Sequence, residues 1–182
     1  MRFSAKILVL AIAAASVAGC SSANDSASDT TATTGVITEN PYGGFPVDPP
    51  APNEIVLTVT AGGVDRNYSL EQLAQLGATT VTLYEPFLKA NATFTGVELS
   101  KLFEESAISG GDLVDTIALN DYTYSIAVRE FTDSGAILAY LQNGMAVSMD
   151  RGGPVRIVIP NDMTLSSLLE AWNWSLRFIV VR

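Results

Sequence analysis

What limits this chain most is what it lacks: among 182 residues there is one cysteine, Cys20, and no histidine. Cys20 closes a short apolar leader, so the long segment that follows holds no disulfide and depends on packing alone. Without imidazole, a Ser-His-Asp triad, a Cys-His pair, a His-containing zinc site and a histidine general base are all excluded. Carboxylate, tyrosine, lysine or serine chemistry remains.

The leader itself is informative. Residues 1–6 carry Arg2 and Lys6, and residues 7–17 are an apolar run of Ile, Leu, Val and Ala, too short to span a bilayer as a helix. The run ends in small residues directly before Cys20, a pattern that resembles the lipobox of bacterial lipoproteins. The resemblance implies a signal peptide over residues 1–19, cleavage before Cys20, and acylation (palmitate among the chains) of its sulfur and new amino terminus. Two or more chains, at about 0.8 kcal/mol per buried methylene, anchor a protein firmly. Ser21 in place of aspartate favours the outer membrane, facing the periplasm. The plainer alternative is an ordinary secreted protein with a free cysteine.

Residues 20–53 turn to Ser, Ala, Thr, Asn and Asp, then to Pro and Gly. Such a tract buries too little apolar surface to order itself and reads as a tether, stiffer in its proline half. Its aromatic residues leave a second possibility open, that Tyr42, Phe45 and Val47 dock back on the domain as an arm.

Residues 54–182 have the size of one domain. The net charge is −9, and the ten Lys and Arg form no stripe, which argues against nucleic acid or an anionic lipid surface as partner. Residues 55–60 alternate apolar and polar as a strand that turns at Gly62-Gly63 toward residues 66–68. Ser69 to Gln72 matches a capping box for a short helix ended by Gly77, and residues 79–84 are a β-branched strand. Thr93 to Gly96 leads into a second helix over residues 97–105, with Val97, Leu99, Leu102 and Phe103 on its apolar face. Residues 116–119 and 122–128 read as strands joined at Asn120-Asp121. Residues 134–141 read as a helix closed by Asn143-Gly144, and residues 155–159 and 176–181 as buried strands. Interleaved strands and short helices without regular spacing predict an α+β fold, a single compact domain of mixed β-sheets.

The order Gly96-Val97-Glu98-Leu99, Asn120-Asp121-Tyr122, Leu138-Ala139-Tyr140, Asn143-Gly144, then Gly152-Gly153-Pro154-Val155-Arg156 with Pro160, resembles the molybdopterin-binding domain of sulfite-oxidase-type oxidoreductases. The resemblance covers residues 54–182 and implies an α+β fold with a pyranopterin dithiolene and molybdenum in a cleft between those loops. It also implies a metal-binding cysteine on the loop after the strand at residues 79–83, where this chain has Tyr84-Glu85-Pro86-Phe87. A tyrosine oxygen replaces a thiolate poorly at a soft metal. The family's usual histidine before the glycine loop corresponds to Arg151, and the basic residue before the late tryptophan to Asn173.

Other acidic groups offer little. Glu104 and Glu105 diverge on their helix, and Asp112, Asp115 and Asp121 lack calcium-loop spacing. Arg151 and Arg156 flank Gly152-Gly153, and a glycine loop lets amides approach an anion that a guanidinium grips. Alternatively Arg156 pairs with Asp121 or Asp150 inside a buried strand and Arg151 is solvated. Trp172 and Trp174, with Tyr84, Phe87 and Tyr122, either line a cleft or belong to the core. The reading that follows is a lipid-anchored periplasmic binding or sensory accessory to an envelope protein. A small anionic or polar ligand would be held by Arg151, Gly152, Gly153, Arg156, Asp121, Tyr122, Tyr84 and Trp172, with no cofactor expected and no turnover. Its rivals are a molybdopterin-dependent oxidoreductase using Tyr84 as metal ligand, and a purely structural interaction domain.

Overall fold

Alternation builds the first hairpin. In β1 (Ile55–Ala61) Leu57 and Val59 point inward, and the chain returns through Gly62-Gly63 into the antiparallel β2 (Val64–Ser69). The computed structural model describes residues 49–182; the expected leader, Cys20 and the tether through residue 48, with Tyr42, Phe45 and Val47, lie outside the described residues. Within the described part of the tether, Glu54 donates its N–H to the Ala51 carbonyl at 2.9 Å, so ordered structure begins before residue 54.

Ser69 caps α1 (Leu70–Gln75) as expected. Its hydroxyl accepts from the Gln72 N–H at 3.2 Å, and the Gln72 side chain accepts from the Ser69 N–H at 2.8 Å. The second hairpin pairs β3 (Ala78–Glu85) with β4 (Ala90–Glu98), its outer face stitched by Thr80–Thr95 and Thr82–Thr93 hydrogen bonds. The helix expected from Val97 therefore starts two residues later, as α2 (Leu99–Glu105), because Val97 and Glu98 still pair in the sheet. Next come β5 (Leu113–Ala118) and β6 (Thr123–Ala127), turning at Asp121 with φ 64°, and α3 (Val128–Asp133).

The helix expected over residues 134–141 is absent: Ile137–Gln142 is β7, paired antiparallel with β4 on one edge and with β8 (Met145–Ala146) and β9 (Arg156–Val158) on the other. Residues 137–140 are all buried, so the run has no polar alternation, and an apolar run of that kind is indistinguishable by period from a buried helix. Asn143-Gly144 closes no helix either. Both take positive φ, 51° and 80°, as a two-residue hairpin turn between β7 and β8 requires.

The last strand, β10 (Leu176–Val181), enters between earlier ones. One sheet runs β2-β1-β10-β5-β6, with β1 and β10 parallel and the other pairs antiparallel; the second runs β3-β4-β7-β8, with β9 also on β7. Leu57, Val59, Phe94, Phe103, Phe131, Leu138 and Ile179 are among the side chains closed off from solvent in one continuous core. No helix among the described residues is long and apolar enough to cross a membrane.

Candidate functional site

Three segments meet at one end of the sheets: the turn from β3 to β4, the turn from β5 to β6, and the stretch from Leu169 to Ser175 ahead of β10. They enclose an open cleft of about 270 Å³ lined by Phe87, Asn120, Tyr122, Glu170, Asn173 and Trp174 together with Trp172.

Parity along β3 decides what lies beneath. Thr80, Thr82 and Tyr84 face solvent, while Leu83 and Glu85 face inward, so a carboxylate is carried into the core. Glu85 is fully buried, and both its oxygens are engaged: Oε1 accepts from Arg156 Nη2 at 2.8 Å, and Oε2 accepts from the Leu88 N–H in the turn. Arg156, on β9, is equally buried and also donates from Nη1 to the Arg151 carbonyl at 2.9 Å. Its guanidinium carbon lies 4.3 Å from the ring centroid of Trp174, 5.6 Å from that of Phe94 and 6.0 Å from that of Phe87. Phe87 and Trp174 meet edge to face at 5.0 Å. Burial pushes the Arg156 guanidinium down to about 10, against the opposing pull of Glu85.

Polar capacity is left over at this end. Among the described residues, Arg156 Nε, Asn173 Oδ1 and Trp174 Nε1 are buried without a hydrogen-bond partner, although Asn173 Nδ2 donates to the Thr116 carbonyl at 2.8 Å. Tyr122 donates its hydroxyl to the Glu170 carbonyl at 3.1 Å, and burial together with the Glu170 charge pushes its phenol up, so it stays protonated.

The sequence-derived residues separate. Tyr122 and Trp172 line the cleft; Trp172 is also core, and Trp174 is the more exposed tryptophan. Asp121 shapes the β5–β6 turn through its positive φ and does not line the cleft. Tyr84 is 48% exposed on the outer face of β3, its backbone clamped by Asn161, which puts it out of place as a cleft ligand. Arg156 pairs neither with Asp121 nor with Asp150: its partner is Glu85, while Asp150 faces the solvated Arg151. The expected anion grip of Arg151, Arg156 and loop amides is thus replaced by internal bonds. The N–H groups of Arg151 and Gly153 donate to the Ser148 carbonyl and that of Gly152 to the Met149 carbonyl. Both glycines answer to packing: Gly152 sits at φ 86° against Trp174, and a Cβ on Gly153 would fall 1.9 Å from the Val147 carbonyl.

Sequence reasoning passed over Glu85, Asn120 and Glu170 as site residues. Period-two counting along residues 79–85 would have put Glu85 on the inner face beside Leu83. Nothing local marks Glu170, which reaches the cleft only through a short irregular turn, Leu169–Ala171.

The donors present do not fit a molybdenum pterin held in the sulfite-oxidase manner. Where the resemblance implies a thiolate, the end of β3 offers Glu85, a carboxylate already bound on both oxygens. Arg156, a candidate for a cofactor phosphate, is enclosed by Glu85 and aromatic rings. The cleft is also slightly smaller than the roughly 300–1,000 Å³ usual for ligands of that size. No group of three or more metal-ligating side chains occurs among the described residues.

The backbone nonetheless has known counterparts. The sulfane dehydrogenase SoxCD from Paracoccus pantotrophus is similar in structure, with a TM-score of 0.55 at 19% identity over 69% of this chain. The chain spans 37% of that protein's length. No curated protein matches by sequence. The model of the oxidoreductase molybdopterin binding domain matches residues 53–168, well over half of the chain, and the chain belongs to that family.

Proposed function

We propose that this chain is a lipid-anchored envelope protein whose domain binds a small polar molecule in the cleft without redox turnover, as a binding or sensory accessory to another envelope protein. The observation that carries the reading is the buried Glu85–Arg156 pair, which stands where the family's metal-binding loop would present its thiolate. A bound, dehydrated carboxylate is a poor ligand for a soft metal. Cys20, behind a short apolar leader, supports attachment to the membrane, and Ser21 supports the outer membrane facing the periplasm.

The chemistry of the cleft favours polar over anionic ligands. Its walls carry Phe87, Tyr122 and Trp174 for stacking, the amides of Asn120 and Asn173 for hydrogen bonding, and the carboxylate of Glu170, with no lysine or arginine lining it among the described residues.

Metal analysis of the protein purified from molybdate-fed cells is expected to give molybdenum far below one atom per chain; one per chain would sink the proposal. In a thermal-shift series on the same protein, uncharged polar heterocycles are expected to raise the melting temperature, and sulfur oxyanions and carboxylates to leave it unchanged.

A further inference from the structure

A second cavity, of about 260 Å³, is lined by a different set of residues, most of them aliphatic or proline. Its walls come from both sheets: Ile55 and Val56 at the start of β1, Leu176 at the start of β10, Val147 and Pro154 from the segment before β9, and Leu119 after β5. Ile55 is 50% and Leu119 41% exposed, so large aliphatic side chains stand open to water along the groove.

The described chain begins on this groove, because Pro49 and Pro50 form part of its wall. Directly before them the sequence runs Pro41-Tyr42-Gly43-Gly44-Phe45-Pro46-Val47-Asp48, whereas residues 21–40 contain no aromatic residue at all. At about 3.3–3.6 Å per residue, Phe45 lies at most about 14 Å of chain from Pro49, within reach of the groove. Consecutive prolines hold φ near −65° and narrow the directions the preceding chain can take. A spacer made only for distance has no use for Tyr, Phe and Val beside an open apolar groove.

We infer that this groove is the seat of the chain's own residues 42–47, with the Phe45 ring as its plug. Docking shortens the free tether to residues 21–41, and so sets how far the domain stands from its attachment point. The inference stands apart from whatever the polar cleft binds.

The test uses the full chain in cell membranes, with Phe45→Cys combined in turn with Ile55→Cys, Leu119→Cys or Met149→Cys, all on the groove wall, and with Glu105→Cys on α2 as control. After oxidation with copper phenanthroline, a disulfide within one chain is expected for at least one wall position and for none with Glu105→Cys, read by mobility on non-reducing gels. Since Ile55 and Leu119 are exposed, their replacement leaves the core intact, which protease resistance of the domain verifies. Absence of an intrachain disulfide at every wall position, or disulfides joining two chains, would overturn the inference, the second result assigning the groove to a second copy.

Discussion

A guanidinium taken out of water loses solvation that one carboxylate does not fully restore, and the lowered pKa of Arg156 expresses that deficit. The pair is therefore better understood as a positioning device than as a source of stability: it ties the β3–β4 turn to β9 and, through the Arg151 carbonyl, to the segment before it. Removing one partner leaves a bare buried charge. Glu85→Ala is expected to cost about 3–5 kcal/mol in urea unfolding, while Glu85→Leu combined with Arg156→Met recovers most of the loss; a double variant as unstable as the single one would show that the charges themselves hold the fold. Part of this was legible from the residues. An arginine inside the apolar run 155–159 had to find a carboxylate, but neither Asp150 nor Asp121 is its partner, and the true partner lies 71 positions upstream. Only tertiary pairing through β4 and β7 brings that distance to 2.8 Å.

Among the elements, those with local punctuation were readable and those without it were not. Gly62-Gly63, Asn120-Asp121 and the Ser69–Gln72 box each announce a turn or a cap through their own chemistry, and β1, β2, α1 and β6 fall close to where those signals put them, while β5 begins three residues before the expected Thr116. By contrast, β7 is covered on both faces and carries Leu-Ala-Tyr-Leu, residues that suit a helix as well as a strand. Its identity is set by β4 and β9 on either side. The cap has a measurable weight: at six residues α1 is too short to persist alone, so Ser69→Ala should lower stability by about 1 kcal/mol in chemical unfolding, with Ser69→Asp close to wild type. Equal stability of the alanine variant would mean that packing of Leu73 alone holds the helix.

At the scale of the whole molecule, β10 is the joint of the first sheet. It pairs with β1 through Thr58–Phe178 and its neighbours and with β5 through Ile179–Thr116 and its neighbours, so among the described strands it alone joins the two hairpins within that sheet. Deleting residues 176–182 should abolish near-ultraviolet circular dichroism and the cooperative thermal transition together; a truncated protein that still melts sharply would contradict this account of the sheet. Such topology also has a temporal side. Because β10 is inserted between hairpins that precede it by many residues, the first sheet closes only through long-range pairings, which form late and slow the folding of the whole.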